Sequence, residues 1–123
     1  MNLLLDTHVV LWWLMGNKLS PAASEVIGDP ENMVLVSAAS VWEMSIKSAL
    51  GKLTVVGDLI DSIVGEFDSL EISFEHAMAA GELPSHHRDP FDRMLIAQAI
   101  AENLTIVTRD SAFGRYNVEV LPA

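Results

Sequence analysis

Short apolar segments of strand length alternate with longer, helix-forming segments along this chain of 123 residues. Strands alternating with helices in this way pack as a mainly parallel sheet with helices on both faces. We therefore expect one α/β domain over residues 1–123, with a central sheet of four to five strands. The strands are predicted at residues 2–5, 33–36 and 104–107, with weaker candidates at 70–73 and, at an edge of the sheet, 117–121.

The predicted helices have recognisable boundary residues as well as apolar spacing. Ser20 is an N-cap residue followed by Pro21 at the first helical position, and Ser37 caps another helix. The helices are predicted at residues 8–15, 21–27, 38–50, 58–67 and 74–81, and from Asp89 or Phe91 to residue 103.

Composition and charge exclude several classes of protein. The chain has no cysteine, which excludes disulfides, thiolate zinc sites and cysteine nucleophiles and fits a reducing cytosol. No export signal and no apolar stretch of about 20 residues is visible, so we expect a soluble, cytoplasmic protein without membrane contact. The net charge of −10 argues against a broad basic face for nucleic acid, although a nuclease remains open because metal ions can neutralise an acidic site. The same acidity favours a basic partner.

Two acidic residues are predicted at the carboxyl edge of the sheet. Asp6 directly follows the first strand, and Asp110 follows the strand at residues 104–107 after a Thr-Arg step. Ligands of open parallel sheets bind beyond this edge. Glu43 and Asp92 are two further acids that adjoin apolar helical segments.

Four carboxylates in one place require a compensating charge. Two like charges about 4 Å apart repel by roughly 4 kcal/mol at an effective dielectric constant of about 20. A divalent cation removes this repulsion, and oxygen ligands without a His or Cys pattern favour Mg²⁺ or Mn²⁺ over zinc. Such an ion keeps positions for a phosphate oxygen and a water, which is the chemistry of phosphodiester hydrolysis.

Each acid also has a purely structural explanation. Asp6 follows a strand and is placed to cap the next helix, and Glu43 is spaced i,i+4 from Lys47 as in a surface ion pair. Asp92 in a first helical turn complements the helix dipole, and Asp110 precedes an ordinary turn. Composition and spacing do not establish that the four side chains meet.

Three segments of the chain resemble the PIN domain of VapC-type toxins from toxin–antitoxin pairs. They are LLLDTHVVLWWL at the start, SAASVWEMSIKSALGKL in the middle and HHRDPFDRMLIAQAIAENLTIVTRD near the end. The resemblance covers nearly the whole chain, with the segments in the family's order. It implies a three-layer α/β/α fold.

The resemblance also implies an acidic active site that binds a metal ion. It assigns the family's first acid to Asp6, its helix glutamate to Glu43 and its last acid to Asp110. Its third acid is assigned to Asp92, with Asp89 as the rival, since Asp89 precedes Pro90 and is the more natural helix cap.

Neighbouring side chains are candidates for supporting roles. The hydroxyls of Thr7 and Thr108 lie beside acids in the sequence and can orient a carboxylate, or they can serve local turns. Arg88, Arg93 and Arg109 adjoin the proposed acids, where arginine either binds RNA phosphates or balances the acidic charge.

No histidine is assigned a catalytic role. His86 and His87 lie in a polar loop without zinc spacing, and His8 is expected to face solvent or pack on its helix. Trp12 and Trp13 are adjacent on a helix, so either one reaches an interface or both are partly buried on a wide apolar face.

For function, the resemblance implies an endoribonuclease toxin that uses Mg²⁺ or Mn²⁺ to cut RNA and halt translation. The implied partners are a cognate antitoxin and a second copy of the chain, in a homodimer that forms a heterotetramer or larger assembly with the antitoxin. The alternatives are an inactive PIN-fold interaction module and an RNA-processing nuclease without an antitoxin. A phosphate-accepting receiver domain fits poorly, because no second acid adjoins Asp6 and the middle strand at residues 33–36 is followed by Ser37. A haloacid-dehalogenase-like phosphatase fits poorly, because it needs a second aspartate where His8 stands.

Overall fold

A computed structural model describes residues 1–52 and 57–123 of the chain. Its strands are β1 (Asn2–Leu5), β2 (Met33–Ser37), β3 (Asp68–Leu70), β4 (Thr105–Thr108) and β5 (Glu119–Pro122). Its helices are α1 (Thr7–Leu14), α2 (Pro21–Gly28), α3 (Ala38–Ala49), α4 (Gly57–Glu66), α5 (Phe74–Glu82) and α6 (Pro90–Glu102), with a 3-10 helix at Ser111–Arg115. Leu53, the last residue of the GKL segment in the family resemblance, lies outside the described residues.

All five strands form one parallel sheet in the order β3-β2-β1-β4-β5. The predicted α/β fold with a parallel central sheet is confirmed, and β5 lies at an edge as expected. β1 is at the centre, and the chain winds outward from it to β2 on one side and to β4 on the other. A crevice therefore opens at the carboxyl end of β1, where the winding reverses.

The sheet has an apolar cluster on each face, which is why β1 is apolar at successive positions. Leu3 and Leu5 pack into a cluster with Val9 and Val10 of α1, whereas Leu4 packs on the opposite face with Leu95 of α6. All three leucines are fully buried. A strand covered on both faces has no polar side, so it appears in the sequence as an unbroken apolar run.

The strand predicted at residues 70–73 is displaced. The structure places β3 at Asp68–Leu70, in register with Leu35–Ser37 of β2. The chain leaves the sheet after Leu70 because Ser73 caps α5: its hydroxyl accepts from the N–H of His76, and His76 Nδ1 accepts from the N–H of Ser73. This reciprocal capping box favours helix over strand at these positions.

The boundary left open for the long helix is resolved in favour of Asp89. Its carboxylate accepts from the N–H groups of Phe91 and Asp92, and Pro90 occupies the first helical position. The 3-10 helix after β4 was not predicted, and Asp110 caps it by accepting from the N–H of Ala112 at 2.9 Å. In the described part of the chain, no helix is long and apolar enough to cross a membrane.

Candidate metal centre

Asp6 lies at the carboxyl end of β1 and is almost completely buried, with 6% of its surface exposed. Its backbone N–H donates to Val107 of β4, and its Oδ2 accepts a 2.7 Å hydrogen bond from the Thr108 hydroxyl. Burial raises the pKa of Asp6, while the bond from Thr108 opposes that rise. The carboxylate is thus held in place by β4 and largely removed from water.

Thr108 connects Asp6 to Asp110. While its hydroxyl donates to Asp6, the same oxygen accepts from the N–H of Asp110 at 3.0 Å. Thr7 contacts a different partner, because its hydroxyl donates to Ser40 of α3 at 2.9 Å and so joins α1 to α3. Of the two predicted supporting hydroxyls, the one at position 108 is bonded to an acid of the site.

Glu43 faces inward from α3 and is 6% exposed. Its Oε2 lies 2.9 Å from Nζ of Lys47, so the predicted i,i+4 ion pair forms. The pair does not keep Glu43 on the surface, since the Glu43 carboxylate is close enough to Asp6 and Asp92 to raise the pKa of both. Glu43 can therefore form the ion pair with Lys47 and belong to the acidic cluster at the same time.

Asp92 projects from the first turn of α6 and is half-buried. Burial raises the pKa of its carboxyl to about 7, and the charges of Asp89, Asp6, Glu43 and Asp110 add to the rise. Each of these four carboxylates is therefore close enough to Asp92 to disfavour its charged form.

These acids share one cleft of about 400 Å³ at the carboxyl edge of the sheet. All four acids assigned from the resemblance, together with the rival Asp89, contribute to its walls. The lining residues are Asp6, His8, Trp12, Glu43, Asp89, Asp92, Arg109 and Asp110.

The three arginines near the acids in sequence are separated in the structure. Arg109 lines the cleft, with its guanidinium 4.1 Å above the Trp12 ring and a 2.7 Å bond to the carbonyl of Lys18. Arg88 lines two other depressions, one that includes Glu43 and Asp89 and a more apolar one beside Phe91. Arginine at the rim of an acidic cleft is suited to bind a phosphate of an incoming strand.

Arg93 points away from the cleft. Its guanidinium donates to the carbonyls of Ala80 at 2.8 Å and of Leu83 and Pro84 at 3.0 Å. Two longer bonds reach the carbonyls of Gly81 and His87. Arg93 was predicted to support the site at a phosphate or an acid, and in the structure it fastens the end of α5 and the following loop to α6.

One histidine beside the acids was assigned no catalytic role from the sequence. Nε2 of His87 lies 3.3 Å from Oδ2 of Asp110, and one ligand atom from each of His87, Asp92 and Asp110 lies within 4.8 Å of the others. The ring stacks on Tyr116, which lies 29 positions later in the chain. No local pattern signals this contact, because it depends on how the loop before α6 meets the 3-10 helix.

The side chains of the cleft fit a hard divalent cation. The donors are mainly carboxylate oxygens, which Mg²⁺ and Mn²⁺ prefer. The rise in the pKa of Asp92 to about 7 shows that the charged form is disfavoured by burial and by its acidic neighbours. A bound cation would relieve that penalty, as it would for Asp6. Fold and site together define an α/β domain with a cluster of carboxylates, suited to a divalent cation, at the carboxyl edge of a parallel sheet.

The chain belongs to the PIN-domain family, whose model matches residues 3–119. It is 32% identical over 118 residues to ribonuclease VapC22 of Mycobacterium tuberculosis, covering 89% of this chain and 87% of that protein. The family assignment made from the three sequence segments is thereby confirmed.

Solved structures with the same fold include components of toxin–antitoxin complexes. A chain of VapBC2 from Rickettsia felis, bound to a DNA fragment from its promoter, superimposes with a TM-score of 0.78 at 18% identity and covers 100% of this chain and 99% of that one. A chain of DNA-bound VapBC from Salmonella typhimurium has a TM-score of 0.73 at 16% identity, covering 99% and 98%. At these identities the likeness establishes the fold.

Proposed function

We propose that this chain is the endoribonuclease toxin of a VapBC-type toxin–antitoxin pair and hydrolyses phosphodiester bonds in RNA with Mg²⁺ or Mn²⁺. The observation that carries the proposal is the convergence of Asp6, Glu43, Asp92 and Asp110 in one cleft, from four elements of the fold. The 32% identity to ribonuclease VapC22 supports the same activity.

Asp6, Asp92 and Asp110 are the residues that would hold the cation. When bound, the cation neutralises a phosphate oxygen and lowers the pKa of an attacking water. Thr108 orients the Asp6 carboxylate by the bond to Oδ2. Glu43, paired with Lys47, either shares in binding the cation or orients the water for in-line attack on phosphorus.

Substrate binding in this proposal uses the rim of the cleft. Arg109 is exposed there and presents its guanidinium from a platform formed by Trp12. A net charge of −10 repels RNA at long range, so binding depends on this local cation and on the metal ion. We expect selective cleavage of a few RNA sites that halts translation.

The proposed partners are a cognate antitoxin and a second copy of the chain, forming a homodimer and, with the antitoxin, a heterotetramer or larger assembly. Several solved relatives are themselves toxin–antitoxin complexes, two of them bound to DNA. The acidic cleft suits a basic side chain from the antitoxin, which would compete with the cation and block the site.

The test is RNA cleavage by the purified chain with Mn²⁺ or Mg²⁺, compared with Asp6→Ala and Asp110→Ala. We expect at least a 100-fold loss of cleavage in both variants, since each removes a cation ligand, and complete loss with a chelator. Asp61→Ala, which removes an exposed acid of α4, is the matched control and should cleave like wild type. Equal cleavage by wild type and both site variants would overturn the catalytic assignment.

The two alternatives are separated by the same material. A wild-type chain that is inactive with every divalent cation, yet binds an antitoxin encoded beside it, is an interaction module. A chain that cleaves RNA but has no adjacent antitoxin gene is a processing nuclease.

A further inference from the structure

His87 lies beside Asp110 at the acidic cleft and is fixed there by hydrogen bonds and ring contacts with residues distant in the sequence. Its backbone N–H donates to the hydroxyl of Tyr116 at 2.9 Å, and its Nδ1 lies 3.2 Å from the same oxygen. The ring stacks on Tyr116 and meets the edge of Phe113, and its side chain is 10% exposed. These contacts leave one direction for Nε2, which points at Oδ2 of Asp110.

We propose that His87 is a nitrogen ligand of the metal centre, positioned by Tyr116, and that it makes the site bind Mn²⁺ in preference to Mg²⁺. The inference rests on the cation site of the proposed function. Nε2 of His87 and the carboxylates of Asp92 and Asp110 form a mixed set of ligand atoms within 4.8 Å of one another. Mg²⁺ is small, prefers oxygen ligands and gives up its waters reluctantly. Mn²⁺ also suits carboxylates, but it is a larger and softer ion, so it exchanges a water for one imidazole nitrogen at lower cost than Mg²⁺ does.

The Tyr116 hydroxyl is compatible with both forms of the neutral imidazole. The hydroxyl oxygen accepts from the backbone N–H of His87, and the hydroxyl hydrogen can be donated to Nδ1. In that form the imidazole carries its proton on Nε2, which faces Asp110. To bind a cation, Nε2 must present its lone pair, so the proton moves through water to Nδ1. Nδ1–H then donates to the Tyr116 oxygen. Histidines that ligate metals usually donate their second N–H to such an oxygen.

A purely structural role for His87 predicts a different result. If His87 only fixes Asp110, its removal loosens a carboxylate that serves both cations, and the two affinities fall together. If His87 is a ligand, the loss falls mainly on Mn²⁺. The ratio of the two affinities is therefore the informative quantity.

The experiment is calorimetric titration of the full chain with Mn²⁺ and with Mg²⁺. His87→Ala should weaken Mn²⁺ binding by roughly 10- to 100-fold, in the range found when metal-site supports are removed, and Mg²⁺ binding by less than about 3-fold. Tyr116→Phe should weaken Mn²⁺ binding by a smaller factor, and thermal unfolding checks that both variants fold. His86→Ala is the matched control, because His86 is adjacent and exposed and also contacts Tyr116, edge-on, so it separates a loss of packing on Tyr116 from the loss of a ligand.

Pulsed EPR of bound Mn²⁺ provides a second measurement. We expect a nitrogen coupling from imidazole in wild type and in His86→Ala, and its loss in His87→Ala. An absence of nitrogen coupling in wild type, or equal changes in the affinities for both cations, would overturn the proposal.

Failure of this inference is distinguishable from failure of the proposed function. Wild type that cleaves RNA without nitrogen coupling keeps the nuclease and excludes His87 as a ligand. Wild type with nitrogen coupling but no cleavage keeps the ligand and excludes the nuclease.

Discussion

The hydroxyl of Thr108 donates a 2.7 Å hydrogen bond to Asp6, a residue 102 positions earlier in the chain. The same oxygen accepts from the N–H of Asp110. The ends of the central strand and of its neighbour are thus joined at the level of their acids. One buried hydroxyl of the sheet thus links the carboxylate of Asp6 to the backbone of Asp110.

Thr108→Val should lower both stability and cation affinity. Valine keeps the shape but removes the hydroxyl that donates to the buried Asp6 carboxylate, which costs roughly 1–3 kcal/mol of unfolding free energy. We expect cation affinity to fall by about 10-fold or more, because an orienting partner of a ligand is lost. Urea denaturation and calorimetric titration measure the two effects. Thr108→Ser, which keeps the hydroxyl, should preserve most of the affinity, and affinity unchanged by valine would contradict the assignment.

The free energy of unfolding of the metal-free protein should contain a contribution from Asp92 that falls as the pH rises. The pKa of its carboxyl is 3.8 ordinarily and about 7 in the folded protein. The folded state therefore holds this proton more tightly, so the stabilisation is complete below the unfolded pKa and is lost as the pH rises through about 7. At about pH 8, Asp92→Asn should be more stable than wild type by roughly 1–2 kcal/mol, a value reduced for the partial exposure of the carboxyl.

Urea denaturation in chelator at several pH values measures that difference. The gain from Asp92→Asn should shrink towards acid, where wild-type Asp92 is protonated. Asp61→Asn removes an exposed acid of α4 and should give no comparable gain. If the free energy of unfolding had the same pH dependence in wild type and in Asp92→Asn, the pKa of Asp92 would not be raised in the folded protein.

Addition of Mg²⁺ or Mn²⁺ should reverse this penalty in wild type. A cation that binds only the folded state adds about 2.7 kcal/mol at a free concentration 100 times its Kd. The gain should be larger at about pH 8 than at about pH 5, because protons on Asp92 compete with the cation. Thermal unfolding with and without cation measures it. Asp6→Ala should respond much less, and an equal response would place the bound cation elsewhere.

Arg93→Ala should destabilise the fold. The guanidinium donates to carbonyls of Ala80, Leu83 and Pro84, and charge-assisted bonds of this kind contribute more than neutral ones. We expect a loss of roughly 2–4 kcal/mol, with only partial rescue by lysine, which lacks the planar fork. Chemical denaturation measures the loss, and Arg115→Ala, at an exposed arginine, is the control. Unchanged stability together with lower RNA affinity would instead support the role suggested by the sequence, in which Arg93 binds an RNA phosphate.

The strand and helix pattern was predictable because it is encoded in neighbouring residues. The apolar run of β1 reflects burial on both faces, and the caps at Ser20, Ser37 and Asp89 use bonds that span only two or three residues. Asp6 and Asp110 were placed at the correct edge because parallel strands end at the same side of a sheet. The position of β3 was less predictable, because the capping box at Ser73 starts α5 where the apolar pattern had favoured a strand at residues 70–73.

What the sequence determined by itself was therefore the alternation of elements, the acids that follow β1 and β4, and, through resemblance, the family. The tertiary structure decided which polar side chains meet. Glu43 pairs with Lys47 and still faces the cleft, Arg93 bonds to carbonyls, and His87 joins Asp110. These outcomes depend on the packing of helices and loops that are distant in the chain. Local spacing carries no information about those contacts, so the set of side chains at the candidate metal centre is determined by the tertiary structure.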